Sequence, residues 1–224
     1  MLEIIKIDRF VNANLIMNKH DDKKDTIFLI FPGGNYESLN NYEMNPVSLL
    51  LFDNGYDTAI LKYTTKIANK DKILNECDAT LNYLSRYYKN IILIGFGSGG
   101  HLAGIIGTAN IYKTIKAMVL GYPVVSLLQF PQKETINNFL KNDISFSQKE
   151  LYSVEKRIDE DTIPTFVFAY QNDKDINLNH TLLLVKELQN NKINHDYQIY
   201  KGKNKKNNYD YLKDVLSFIK KLGL

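Results

Sequence analysis

Apolar residues occur along the chain in two alternating patterns. Continuous apolar runs such as Thr26–Phe31, Asn90–Gly95 and Pro164–Tyr170 are typical of strands buried on both faces of a sheet. Between such runs, Asp71–Tyr88 repeats apolar residues at the spacing of an amphipathic helix. This alternation of strands and helices predicts an α/β fold with a mostly parallel sheet covered on both faces.

The same patterns locate eight strands and six helices. The predicted strands are Ile4–Arg9, Asn14–Asn18, Thr26–Phe31, Asp57–Tyr63, Asn90–Gly95, Ile115–Gly121, Pro164–Tyr170 and Asp196–Tyr200. The predicted helices are Pro46–Asp53, Asp71–Tyr88, Ser98–Thr108, Gln148–Arg157, Leu178–Asn190 and Tyr209–Leu222. The chain contains no internal repeat and no long linker, so we expect residues 1–224 to form one domain.

Composition and charge narrow the function classes. The 28 Lys and Arg residues against 25 Asp and Glu give a net charge of +3 spread along the chain, so neither a nucleic-acid nor a membrane partner is predicted. The single cysteine, Cys77, excludes an intrachain disulfide framework and a cysteine-based zinc cluster. Charges interrupt the apolar N-terminal stretch, so we expect no signal peptide and a cytoplasmic protein.

Glycine-rich sequences follow two of the predicted strands. Phe31–Tyr36 reads F-P-G-G-N-Y, and Gly95–Ala103 reads G-F-G-S-G-G-H-L-A. They resemble the oxyanion loop and the nucleophile elbow, G-F-S-x-G-G-H-L-A, of the small esterase and acetylesterase-like branch of the α/β-hydrolase superfamily. Further landmarks in the correct order extend the resemblance over residues 27–222. It implies an α/β-hydrolase fold without a large cap domain, and hydrolysis of short acyl esters at a catalytic triad.

The elbow sequence aligns with the family in two ways that differ in the nucleophile. When Gly95 and Gly99 match the family's glycines, Gly97 occupies the serine position and Ser98 follows it. Moving the register by one residue makes Ser98 the nucleophile, but it places Phe96 where close packing of helix against strand requires a small residue. Glycine adopts a positive φ without strain, so the turn can survive loss of its serine. We favour the first register, with Ser98 as nucleophile remaining the alternative.

The resemblance also assigns the oxyanion-binding groups. In this family, backbone N–H groups of the loop and of the elbow stabilise the developing oxyanion. Here Asn35 replaces the third glycine of the loop, and its side chain also offers a donor to a ligand. The predicted binding residues are Gly33, Gly34, Asn35, Gly97 and Gly99.

The position of the triad's acid is occupied in this sequence, whereas the position of its base is not. Asp173 follows a predicted buried strand at the position of the family's acid, although it can equally be a loop or capping residue. The family's histidine belongs in the loop Lys201–Asn208, which contains none. His180, near the start of a helix at the correct end of the sheet, is the best replacement base. We expect Lys205 and Lys206 to form a solvated rim rather than a base.

Three functions remain open from the sequence. One is an ester hydrolase that uses Ser98, Asp173 and an unorthodox base. The second is a non-catalytic relative that binds a small ester or acyl ligand, or a protein partner, in the old cleft. The third is Asp173 acting as a general base on water, for which no second carboxylate or metal cluster offers support. No cofactor or metal is expected, and residues 127–147 are a candidate lid or homodimer contact.

Overall fold

The computed structural model describes residues 2–6, 13–202 and 208–224, and its eight strands form one sheet. The strand order is β1-β2-β4-β3-β5-β6-β7-β8, in which β2 is antiparallel to β1 and β4 and every other neighbouring pair is parallel. The strands are β1 Leu2–Lys6, β2 Asn14–Asn18, β3 Thr26–Phe31, β4 Asp57–Lys62, β5 Asn90–Phe96, β6 Ile115–Gly121, β7 Thr165–Tyr170 and β8 His195–Tyr200.

Seven α-helices accompany the strands within the described ranges. They are α1 Asn45–Asp53, α2 Lys70–Leu84, α3 Ser98–Ala109, α4 Lys133–Leu140, α5 Phe146–Leu151, α6 Asn179–Asn190 and α7 Tyr211–Lys221. Short 3-10 helices occupy Asn41–Glu43 and Val154–Lys156. The central strands β3, β5 and β7 are almost entirely buried, because helices cover both faces of a parallel sheet. None of the described helices has the length and hydrophobicity that crossing a membrane requires.

The predicted elements are mostly present, and two differ. The sequence predicts no helix between Gly121 and Gln148, but helix α4 lies there, and the predicted helix Gln148–Arg157 is wrong. In its place α5 ends at Leu151 and a 3-10 turn follows, because the chain bends there to pack against α3 and α6. The predicted end of the first strand, near Arg9, lies outside the described residues.

Strand pairing determines where a site can form. Phe31 at the end of β3 pairs with Gly95, and Phe96 at the end of β5 pairs with Gly121. The loops that leave these strands therefore meet at the carboxyl edge of the sheet, where α/β proteins bind their ligands.

Candidate functional site

Gly97 forms the sharp turn between β5 and α3. Its φ of 55° and ψ of −117° belong to a region that L-residues with side chains rarely adopt. Two backbone hydrogen bonds of 3.0 Å join it to the β6 side, from Gly97 N–H to the Gly121 carbonyl and from Val124 N–H to the Gly97 carbonyl, and the His101 N–H donates to the same carbonyl at 3.1 Å. Helix α3 then begins at Ser98. This is the geometry of a nucleophile elbow with glycine at its apex.

Packing around the turn is compatible with this register only. Phe96 is completely buried, and a Cβ on Gly95 would lie 2.3 Å from the Gly99 carbonyl oxygen. The close approach of helix to strand is therefore at Gly95, not at Phe96. A Cβ added to Gly97 meets only Ile176 Cδ1, at 3.3 Å. The apex thus has room for a side chain that this sequence does not provide.

Ser98 lies next to the apex, and its hydroxyl is part of a packed contact. Its Oγ accepts a 2.9 Å hydrogen bond from Asn35 N–H, and the residue is 1% exposed. The buried Tyr63 phenol also interacts with Ser98, while donating a 2.6 Å hydrogen bond to the Pro32 carbonyl. The Ser98 hydroxyl therefore joins the oxyanion loop to helix α3.

A buried carboxylate that the sequence did not suggest holds the oxyanion loop. Glu43 Oε2 accepts the Gly33 N–H at 2.6 Å, and Oε1 accepts the Tyr122 hydroxyl at 2.7 Å. Asn40 Nδ2 donates to the same carboxylate. Burial raises the pKa of Glu43, and these donors offset part of that effect. A charged residue in a polar segment carries no sequence signal of burial, so Glu43 was missed.

Asn35 connects the oxyanion loop to helix α4. Its Nδ2 donates to Glu134 Oε2 at 2.8 Å, and its Oδ1 accepts from Thr135 Oγ1 at 3.1 Å. The Asn35 carbonyl accepts from Asn138 Nδ2 at 2.9 Å. The side chain expected to face a ligand is instead bonded to α4, so this segment of the candidate lid holds the loop in place.

We expect Asn35→Ala to destabilise the protein by about 1–2 kcal/mol, since it removes two side-chain hydrogen bonds and places alanine, which tolerates positive φ less well than asparagine, at a φ of 57°. Asn35→Gly loses the same bonds without the conformational strain, so it separates the two effects. Urea denaturation measures both free energies of unfolding. Equal stability of Asn35→Ala and the unmodified chain would contradict the structural role of these bonds.

A cleft of about 620 Å³ opens above the turn. Four of the five predicted binding residues line it together with Ser98, whereas Gly99 lies beneath, against the Phe31 and Pro32 carbonyl oxygens. Ser98 begins α3, so its N–H has no helical acceptor and is available to a ligand oxygen. The lining residues from the predicted set are Gly33, Gly34, Asn35 and Gly97.

Asp173 lies in the loop after β7, as predicted. Its Oδ1 accepts hydrogen bonds from the Asp175 N–H at 2.9 Å and the Ile176 N–H at 3.2 Å, which fixes the turn of this loop. Asp173 lines a recess beside the cleft, and the hydrogen bond from the Gln132 amide to the Asp175 carbonyl lies where the two spaces adjoin.

His180 lies in the same recess but does not reach the elbow. It is 1% exposed, and its Nδ1 accepts the N–H groups of Val125 and Ser126 at 3.1 and 3.2 Å. Burial lowers the pKa of His180 to about 4. Within the described ranges, no hydrogen bond joins His180 to Ser98. The predicted replacement base is thus a buried side chain whose Nδ1 is occupied by the backbone of Val125 and Ser126.

His101 is the other imidazole near the elbow, and it belongs to the core. Its Nδ1 lies 2.7 Å from the Tyr36 hydroxyl and its Nε2 2.7 Å from the Tyr152 carbonyl. Both nitrogens are thus engaged, and burial lowers the pKa of His101 to about 4. Lys205 and Lys206, at the position of the family's histidine loop, lie outside the described residues. In the part that is described, no cluster of metal-ligating side chains is present.

The fold has solved counterparts, and the sequence has a curated relative. An acetyl ester-xyloside bifunctional hydrolase from Caldicellulosiruptor lactoaceticus superposes with a TM-score of 0.84 at 20% identity, covering 99% of this chain and 93% of that one. The α/β hydrolase MGS-M1, from a deep-sea metagenome library of the Medee basin, gives a TM-score of 0.79 at 24% identity, covering 100% and 98%. The likeness to these structures confirms the α/β-hydrolase fold.

Sequence comparison identifies the family. Endo-1,4-beta-xylanase B of Butyrivibrio fibrisolvens is 22% identical over 204 residues, a match that covers 80% of this chain but 32% of the relative. The chain thus spans about a third of the length of this curated relative. The model of the prolyl oligopeptidase family matches residues 66–223, which include the elbow, the acid loop and the last helix. The chain is therefore a member of the prolyl oligopeptidase family of α/β-hydrolases.

Proposed function

We propose that this chain is a non-catalytic member of its family, and that its cleft binds a small acyl ester without hydrolysing it. The observation that carries the proposal is Gly97 at the apex of the elbow, where the turn is preserved but no nucleophilic atom is present. Removing a triad serine typically lowers turnover about a million-fold. What remains above background is too slow for a dedicated enzyme.

The neighbouring serine does not compensate for this loss. An activated serine needs a base within hydrogen-bond reach and an exposed hydroxyl. Ser98 Oγ is buried, and it accepts the Asn35 N–H. Two buried imidazoles, His101 and His180, have other hydrogen-bond partners at Nδ1, and burial lowers their pKa values to about 4, which makes each a weak base for a serine proton.

The binding half of the site is better preserved than the catalytic half. The cleft of about 620 Å³ is open and lined by Ser98, whose N–H has no helical acceptor and is available to a carbonyl oxygen. A similar structure carries the name of an acetyl ester-xyloside hydrolase, which supports a short acyl ester as the ligand class. A glycine at the apex leaves space for the ester where a serine would attack it.

The first test is hydrolysis of p-nitrophenyl acetate by the unmodified chain and by Ser98→Ala and Asp173→Ala. We expect three indistinguishable rates, all far below the turnover of an esterase, because no atom occupies the nucleophile position. Turnover that disappears in Ser98→Ala would overturn the proposal and identify Ser98 as a relocated nucleophile.

Binding is tested separately, with triacetin as a soluble short-chain ester and ligand-observed NMR as the readout. We expect saturable binding that Gly97→Leu abolishes, because the new side chain fills the space above the turn. Gly55→Leu is the matched control, since Gly55 also has a positive φ of 93° but faces open space at the α1–β4 turn. Binding that is absent in the unmodified chain, or equal in both variants, would contradict a ligand site in the cleft.

A further inference from the structure

A second cavity lies between α2 and α3, and none of its lining residues lines the cleft. This α2–α3 groove has a volume of about 370 Å³, within the lower range of small-molecule sites. Its walls are mainly aliphatic side chains of the two helices, namely Leu74, Leu81, Ile105 and Ile106. Because Ala109 on α3 is small, the groove stays open at the end of that helix.

Large apolar side chains at the rim of this groove remain in contact with water. Ile111 is 76% exposed and Leu151 is 51% exposed, and both line the cavity. Exposed apolar surface that surrounds a concave apolar space is characteristic of ligand-binding sites rather than of ordinary surface. An apolar ligand in the groove would therefore bury apolar side chains that are exposed to water in its absence.

Arg157 adds a positive charge to the apolar walls. Its Nε donates to Thr108 Oγ1 at 3.2 Å, and its Nη1 donates to the Leu151 carbonyl at 3.0 Å. Burial lowers the pKa of this guanidinium, and smaller opposing effects come from Tyr152 and Asp159. Among the described residues, no carboxylate forms a salt bridge with it. A partly buried cation held by two neutral acceptors retains its capacity to bind an anion.

One acidic side chain, Asp78, lies on the wall of the groove, and its two carboxylate oxygens are engaged. The Tyr112 hydroxyl donates to Oδ1, and Asn82 Nδ2 donates to Oδ2 at 3.1 Å. Asp78 therefore does not pair with Arg157, and an incoming anion would meet the guanidinium as the group with free donors.

We propose that the α2–α3 groove binds an amphiphilic carboxylate, with the head group on Arg157 and the alkyl chain between α2 and α3. A guanidinium recognises a carboxylate through two parallel hydrogen bonds, and the aliphatic walls accept methylene groups. Each buried methylene strengthens binding about fourfold. This site is independent of the ligand proposed for the cleft.

The test is isothermal titration of the full chain with octanoate, hexanoate and 1-octanol. We expect one saturable site, with octanoate bound about sixteenfold more tightly than hexanoate because two more methylenes are buried. Arg157→Gln should weaken octanoate binding about tenfold or more and leave 1-octanol unchanged. Arg86→Gln, the same change at an exposed arginine, is the matched control and should bind as the unmodified chain does.

Further variants separate loss of the site from loss of the fold. Arg157→Lys keeps the charge and should retain binding weaker than that of the arginine, whereas Ala109→Leu fills the groove and should abolish binding of octanoate and 1-octanol alike. Gly97→Leu, in the cleft, should change neither. Absence of saturable binding, equal octanoate affinity in Arg157→Gln, or loss of octanoate binding in Gly97→Leu would each overturn the proposal.

Discussion

Gly99→Ala is expected to destabilise the protein by at least about 3 kcal/mol and to leave little folded material. The added Cβ would lie 2.1 Å from the Phe31 carbonyl oxygen and 2.6 Å from that of Pro32. The obstacles are backbone atoms of the last residue of the almost entirely buried strand β3 and of the residue that follows it, so neither can move without displacing the sheet. Urea denaturation and the yield of soluble protein measure the effect.

The matched control is the same substitution two residues earlier. Gly97→Ala places its Cβ near Ile176 Cδ1 only, so its cost is the strain of a side chain at this φ and ψ, about 1–3 kcal/mol. The two alanine variants thus distinguish a steric clash with the neighbouring backbone, at Gly99, from backbone strain, at Gly97. If Gly99→Ala were as stable as Gly97→Ala, the close approach of α3 to the end of β3 would be wrong.

A second large effect is expected from acid, because two histidines are buried in their neutral form. The pKa values of His101 and His180 fall to about 4 through burial, while the unfolded chain binds these protons near pH 6.5. Between those values the unfolded state holds more protons than the folded state, so stability falls as the pH falls. Each histidine accounts for up to about 3 kcal/mol of this loss.

His101→Gln isolates one of these contributions. Glutamine can accept from the Tyr36 hydroxyl and donate to the Tyr152 carbonyl, but it does not titrate. We expect the stability difference between the unmodified chain and the variant to narrow by about 3 kcal/mol from near pH 7.5 to near pH 4. Chemical denaturation at several pH values, with His195→Gln on the half-exposed edge strand as control, measures it. A constant difference would show that His101 is not buried neutral.

The pKa of at least one other buried group shifts in the opposite direction, so the pH dependence of His101 has to be measured as a difference between the unmodified chain and a variant. Burial raises the pKa of Glu43, so the folded state takes up that proton before the unfolded state does, and acid then favours folding. The pH dependence of the whole protein is the sum of such effects. Only the difference between the unmodified chain and a matched variant gives the contribution of one residue to the pH dependence of stability.

Much of the fold could be predicted because the central strands are unambiguous. Runs such as Ile91–Ile94 are apolar at every position and completely buried, which only a sheet covered on both faces explains. Helix α4 was missed because its eight residues mix Glu134 and Asn137 with buried Ile136 and Phe139, a short pattern that periodicity alone does not separate from a loop.

The site was predictable only where local geometry decides it. Gly97 at the apex follows from the packing rule that excludes Phe96 from the first small position, which is a constraint within a few residues. The positions of Glu43 and His180 depend on contacts with residues 79 and 55 positions away, at Tyr122 and Val125. No pattern near Glu43 or His180 reports such contacts, so the sequence could name His180 but not its surroundings.

The conformation of Gly97 also bears on how this chain can change over evolutionary time. A residue with a side chain in this turn carries a strain of about 1–3 kcal/mol, which an active hydrolase tolerates for the sake of its nucleophile. On the proposed non-catalytic function there is no selection for hydrolysis, and thermodynamic stability alone favours glycine here. A serine arising at this position would lower stability at once, and the loop Lys201–Asn208 would still contain no histidine. The glycine is therefore expected to persist in descendants of this chain.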